Sequence, residues 1–247
     1  MKHLQIFNTS NDYNENIGNS PLPNVSYINN SRGIKYKGTP KILYTTTDNR
    51  KIEDFVFNDI IKSNEWNEYL QCFVLTFNDN QFYSSIGGDY FKENECLKSL
   101  SFIYLNDVTT ISADAITYNE NLEKITFTGL SNVEKIGNNF LSNNDSLTEI
   151  DLSALVNLKS FGNNCFNKLT NIKKINLNGL NNIESIGTYF MYNNNTLKTL
   201  YLPVLPNLKS IAYAFLKNCG ELKNINLNTP NLTSINDEFL CNCSSLE

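Results

Sequence analysis

Apolar residues return along this chain at a spacing of 25. A leucine at position 97 recurs at 122, 147, 172, 197 and 222, and only the last interval, to Leu246, is one residue short. The same grammar surrounds each leucine: L-x-x-I/L-x-L/F, a gap, L-x-x-V/L/I-x-x-I/F, then a small residue and a bulky pair. One period reads Leu122, Ile125, Phe127, Leu130, Val133, Ile136, Gly137, Phe140, Leu141; the next reads Leu147, Ile150, Leu152, Leu155, Leu158, Phe161, Gly162, Cys165, Phe166. Registration held over this distance predicts a stacked solenoid in which each coil buries its apolar edge against its neighbours.

Within a coil, alternation over L-x-x-I-x-L predicts a short strand with inward residues two apart. A shorter extended piece such as Val133–Ile136 follows. The bulky pair (Phe140-Leu141, Phe190-Met191, Phe215-Leu216) predicts a single helical or 3-10 turn. Gly87, Gly137, Gly162 and Gly187 share the column before that turn, where positive φ or tight backbone packing suits glycine. Two buried spines follow from the register. Phe77, Phe102 and Phe127 give way to Leu152, Leu177, Leu202 and Leu227 in one. Tyr90, Ala115, Phe140, Cys165, Phe190, Phe215 and Phe239 form the other.

Three regions emerge. Residues 1–40 read as a polar leader or anchor, with Val25–Ile28 and Ile34–Tyr36 as a hairpin around a five-residue loop. Residues 41–71, with a strand at Ile42–Thr47, an apolar segment from Phe55 to Ile61 and the only tryptophan, Trp66, read as the cap of the first coil. Residues 72–247 read as about seven coils, the degenerate first one aligned through Cys72, Leu75, Phe77, Tyr83, Ile86, Gly87, Tyr90 and Phe91. The chain stops at Leu246-Glu247, where another strand would begin. That predicts a natural protein that continues, or an uncapped end that self-associates or takes a partner.

The residues now resemble a known family, the leucine-rich repeats of the BspA or Treponema type. Leu122-x-x-Ile125-x-Phe127 with Val133-x-x-Ile136-Gly137 and Phe140 follows its consensus, as does Leu197-x-x-Leu200-x-Leu202-Pro203 with Ala214-Phe215 and Cys219. The period of 25 departs from the family's usual one of about 23, and most coils lack the proline. The resemblance implies a repeat solenoid, mainly β with short helical or 3-10 turns, wound as a right-handed leucine-rich-repeat coil. The leader segments LQIFNT, LPNVSY and ILYTTTDNRKI are similar to segments that precede such repeats in gut Bacteroidales and their crAss-like phages. That similarity implies a virion-associated or surface protein that contacts virion proteins through residues 1–40. It would be located on the virion or, after lysis, outside the cell, and otherwise in the cytoplasm.

Composition narrows the function classes. The 43 asparagines suit a chain that bends several times per coil. A net charge of −5 without a basic cluster argues against nucleic acid. No run approaches the ~18 apolar residues of a membrane helix, so no membrane insertion is expected. The first residues lack the apolar core of a secretory signal.

Candidate chemistry is sparse. The strand face presents outward residues that alternate with buried ones: Lys124, Thr126 and Thr128; Glu149, Asp151 and Ser153; Lys174, Asn176 and Asn178; Thr199, Tyr201 and Pro203; Asn224, Asn226 and Asn228. This ladder reads either as a site for a protein or glycan ligand with Tyr201 as a flat anchor, or as a solvated face. In the second reading, neighbouring Lys124, Glu149 and Lys174 stabilise the sheet by about 0.2–1 kcal/mol per pair.

Cys219 and Cys243 share a column that Asn94, Asn119, Asn144 and Asn194 hold in other coils, which predicts a half-buried capping role. Stacking would bring their Cα atoms within disulfide range. Cys165 and Cys72 read as core, Cys96 and Cys241 as surface. Cys241-x-Cys243 lacks the second pair a zinc site needs, so neither metal nor cofactor is expected. The one histidine, His3, precludes a Ser-His-Asp set in the repeats. Phosphate-loop, dinucleotide and zincin motifs are absent. The sequence therefore predicts a non-enzymatic binding or structural module. An intracellular interaction scaffold or effector is the alternative, and a glycan-active enzyme a distant third.

Overall fold

In a computed structural model, residues 26–30, 33–37, 40–53, 55, 57, 61–78 and 85–247 are described, with side chains from residue 40 onward. His3, Tyr83, Asn8-Thr9-Ser10 and most of the 1–40 leader lie outside the described residues. The predicted hairpin is present as β1 (Ser26–Asn30) and β2 (Gly33–Lys37), paired antiparallel with Asn30 opposite Gly33. Its pairing therefore runs further into the loop than the five-residue connection allows.

The cap contains β3 (Lys41–Thr46), β4 (Ile61–Asn67) and β5 (Cys72–Phe77). The solenoid then alternates short and very short strands: β6 (Ser85–Ile86), β7 (Leu97–Ile103), β8 (Thr110–Ile111), β9 (Lys124–Thr126), β10 (Lys135–Ile136), β11 (Glu149–Asp151), β12 (Ser160–Phe161), β13 (Lys174–Asn176), β14 (Ser185–Ile186), β15 (Thr199–Tyr201), β16 (Ser210–Ile211), β17 (Asn224–Asn226) and β18 (Ser234–Ile235). Pairing between coils is parallel. Lys135 lies opposite Thr110 and Ser160, Glu149 opposite Lys174, and Thr199 opposite Asn224, each offset by one repeat. Ser210 pairs with Ser234, so the missing residue of the last coil has been removed from the turn between β17 and β18.

The first coil corrects one expectation. Cys72–Phe77 has the column spacing of a coil strand, yet β5 is not the parallel neighbour of β7. The sheet order is β4-β5-β3-β7-β9. Strand β3 occupies the slot beside β7, antiparallel, with Tyr44 opposite Leu100, and pairs on its other side with β5. Its alternating burial, with Ile42, Tyr44 and Thr46 inward, lets it complete the apolar edge that a preceding coil would cover. Only the second half of the 72–96 segment is regular, through β6 paired with β8.

The turn after each even-numbered strand is the second correction. Among the described residues no helical or 3-10 turn forms there. Instead, after β10, β12, β14 and β16 every other residue is left-handed: Asn139, Leu141 and Asn143; Asn164, Phe166 and Lys168; Tyr189, Met191 and Asn193; Ala214, Leu216 and Asn218. A helical turn would satisfy its own amides. The alternating backbone turns them along the stack: Asn139 N–H donates forward to Asn163 O, and Phe166 N–H donates back to Phe140 O. Bulky residues seldom occupy positive φ. Here the inter-coil bonds and the burial of Leu141, Phe166, Met191 and Leu216 hold it.

The core is continuous from cap to last coil. Trp66 meets Phe73, Phe73 stacks on Tyr44 at 5.1 Å, and Tyr44 leads through Phe55 to Phe91 and Phe102. Phe102 stacks on Phe127, and Phe190 on Phe215 at 5.4 Å and 12°. Where Cys165 interrupts the second spine, Phe166 bridges Phe140 and Phe190 with edge contacts of 5.5 Å on each side. The thiol of Cys165 is fully buried and leans on Gly137 O and Gly162 O at 3.3 Å. Burial pushes it up to about 12.

A second ladder runs through the column of Asn119, Asn144 and Asn194. These side chains are buried, not half-buried as expected. Asn144 Oδ1 accepts Asn119 N–H at 2.8 Å, while its Nδ2 donates to Ile116 O at 3.0 Å. Asn194 does the same for Leu169 N–H and Phe166 O. Each amide thus ties its own coil to the one before. Asn144→Ala orphans a buried donor and a buried acceptor, and each orphan costs about 1–3 kcal/mol. The expected loss is about 2–6 kcal/mol in urea unfolding, with the slope of the transition unchanged.

Candidate functional site: the polar ladder of the long strands

The odd-numbered strands place one residue of each coil over its counterpart. Ser99 lies opposite Lys124 and Ser101 opposite Thr126. Glu149 lies opposite Lys174 and Asp151 opposite Asn176. Thr199 lies opposite Asn224 and Tyr201 opposite Asn226. The central residue of each strand (Ile125, Ile150, Ile175, Leu200) is buried, so the residue on either side must point outward. Lys124, Glu149, Asp151, Lys174, Tyr201, Asn224 and Asn226 are exposed, and Thr126, Asn176 and Thr199 half-buried. All ten predicted face residues therefore share one surface.

Hydrogen bonds pre-set part of this surface. Asp151 accepts from Ser153 N–H at 2.9 Å and from Asn176 Nδ2 at 3.0 Å. Asn176 Oδ1 in turn accepts from Asn178 N–H. Partial burial opposes ionisation of Asp151, but the Ser153 and Asn176 donors and the Lys174 charge outweigh it and hold the carboxyl below its ordinary value. Asp151 thus remains an anion at neutral pH with a fixed orientation. Ion pairs also close beside the ladder, at Lys98–Glu123 (3.6 Å), and on the face of the even-numbered strands, at Lys159–Glu134 (2.8 Å).

Beside the expected Tyr201, 63% exposed, the structure adds two apolar residues that the alternation did not reveal: Val204 is 48% exposed and Val156 44%. Pro203 is half-buried beside them. Gly179, in the Val204 column one coil earlier and at φ 86°, faces the Val156 side chain. Val156, Gly179, Pro203, Val204 and Tyr201 thus form an apolar margin to a polar ladder. The available signal was the doubled apolar pair, Leu155-Val156 and Val204-Leu205, in a slot where the repeat requires only one leucine.

Ring and amide chemistry of this kind binds and orients. Among the described residues, no group of three or more His, Cys, Asp or Glu side chains is placed to hold a metal. No helix there is long and apolar enough to cross a membrane.

The repeats match the family described as BspA type Leucine rich repeat region, in six copies, over residues 84–211 and 178–247. Among solved structures the chain is similar to the T. pallidum leucine rich repeat protein TpLRR, at 17% identity and a TM-score of 0.44, covering 62% of this chain and 72% of that one. It is also similar to a leucine-rich repeat protein from Bacteroides ovatus ATCC 8483, at 18% identity and a TM-score of 0.39, covering 88% of this chain and 55% of that one. No curated protein matches the sequence.

Proposed function

This chain belongs to the BspA-type leucine rich repeat family, and from that premise we propose that it is a non-enzymatic binding module whose protein or glycan ligand lies across the long-strand ladder. The family suggests a protein-binding or structural role. What supports the ladder as the surface is one observation: Tyr201 and Val204 stand exposed in the same coil, on a face that carries a row of oriented polar groups. A large amphipathic ring fixed on a strand binds at low entropic cost, because few torsions remain to be ordered. Asp151, Lys174 and Asn176 supply the polar contacts that select register.

The placement on a phage particle or cell surface, with residues 1–40 as anchor, rests on the leader's similarity to virion-associated segments. Co-purification of the full chain with particles supports it. Capture of one soluble cytosolic partner, with no particle association, makes the chain an intracellular scaffold instead. Either way, Tyr201→Ala should weaken the captured ligand about 10-fold or more. Its melting temperature should stay put, since exposed substitutions rarely shift stability by more than about 0.5 kcal/mol. Titration calorimetry on both variants checks this, and equal affinity moves the site off this face.

A further inference from the structure

We propose that Cys219 and Cys243 form a redox modification site, a dithiol that closes to a disulfide joining the last two coils. The column decides the geometry. The offset of 24 that pairs Ser210 with Ser234 also carries residue 219 onto 243. Neighbouring strands lie about 4.7–4.9 Å apart, inside the 4.4–6.8 Å range of Cα separations in disulfides. The two side chains also point the same way along the stack. Cys219 Sγ donates to Met191 O at 3.2 Å and Cys243 Sγ to Leu216 O at 3.1 Å, each reaching back toward the preceding coil. The sulfur of Cys243 is thereby aimed at the coil that holds Cys219, and Cys219 Sγ, which reaches the other way, must turn about its Cα–Cβ bond to meet it.

Elsewhere the column shows what a purely structural residue looks like. Asparagine at 119, 144 and 194 offers a strong acceptor to the preceding coil, and at 144 and 194 a strong donor to a carbonyl there. A thiol fills the same space with a weak donor and a weak acceptor. One such replacement would be a neutral variation. Two in successive coils weaken the ladder twice at the same place and create a stacked pair that can be joined covalently.

The two sulfurs differ as an attacking and a resolving thiol should. Cys243 is half-buried and open to an oxidant from solvent. Cys219 is fully buried and is reached only through its neighbour in the column. With glutathione disulfide as oxidant, the Cys243 thiolate attacks one sulfur and expels a glutathione thiolate, which takes a proton. Cys219 then loses its proton to solvent and attacks the Cys243 sulfur. The Cys219–Cys243 bond forms as the second glutathione leaves. The protein loses two hydrogens and two electrons, and one glutathione disulfide becomes two glutathiones.

The full chain, reduced and then exposed to glutathione disulfide, tests the site by peptide mass mapping. The expected product joins the peptides of Cys219 and Cys243, with Cys72 and Cys165 still free. Cys219→Ser should stop at a glutathione adduct on Cys243. Amide exchange across residues 216–243 should slow at least ~10-fold on oxidation, because opening of the last coil is then restricted. A persistent adduct on Cys243 beside a free Cys219, a Cys241–Cys243 product, or unchanged exchange after cross-linking each overturns the proposal.

Discussion

Phe190→Ala should destabilise the protein by about 3–5 kcal/mol, the range for removing a large buried ring. Phe190 is fully buried and meets three rings from different coils. It stacks on Phe215 at 5.4 Å and meets Phe166 edge-on at 5.5 Å and Phe161 at 5.2 Å, while Cys165 takes the place of an aromatic on its N-terminal side. Because Cys165 is small, no ring on the N-terminal side of the column can slide into the void. The alternating backbone on either side is fixed by Tyr189 N–H to Tyr213 O and Met191 N–H to Cys165 O. Collapse around the cavity is therefore resisted, which places the cost high in the range. In a stack, stability adds coil by coil, so the loss should appear first as faster amide exchange in the coils that flank residue 190. Urea titration with exchange mapping checks both parts. Lys174→Ala, on the exposed ladder, is the control and should change little.

Gly187→Ala should cost about 3 kcal/mol, the upper end for forcing a group into a packed site. The repeat made glycine a candidate here for either of two reasons, and the structure selects one. Gly187 is not at positive φ. A Cβ on it would sit 2.4 Å from the carbonyl carbon of Gly162 and 2.6 Å from Asn163 N. Those are backbone atoms, and they are pinned: Gly187 N–H donates to Phe161 O at 3.0 Å, and Asn163 Oδ1 accepts Thr188 N–H. The neighbouring coil cannot yield without breaking its own bonds. The contrast is Gly179, at φ 86° with the nearest atoms beyond 3.2 Å. There the objection to a side chain is backbone conformation, not space. Thermal melts of Gly187→Ala and Gly179→Ala separate the two causes: the first should fall further than the second.

The repeat was legible because burial imposes it. Residues such as Leu122, Leu147 and Leu197 must all reach the same interior, so their spacing records the length of a coil directly. The outward residues of the ladder followed from the same alternation. The cap was less legible for a reason of distance. Residues 72–77 carry the spacing of a coil strand, and nothing local in them reveals that residues 41–46 will pair with 97–103 and take the slot first. Strand alternation specifies a face, not a partner. The left-handed turns were hidden differently. Asn139, Asn143 and Asn193 advertise positive φ, but Leu141, Phe166 and Met191 do not, and their bulk suggested a helical turn. Their conformation is imposed by bonds to adjacent coils, which a single period does not contain. Val156 and Val204 escaped notice because an apolar residue inside an apolar pattern reads as core.

Almost every bond that joins one coil to the next, in the paired strands, in the alternating turns and in the asparagine column, points along the axis of the stack. A tensile load applied along that axis would therefore meet these links head-on and break them a layer at a time, paying out a fixed length of chain with each rupture. A load across the axis would engage many layers at once. The molecule is built like a pile of rings clipped edge to edge, compliant to peeling from its last ring and stiff to shear.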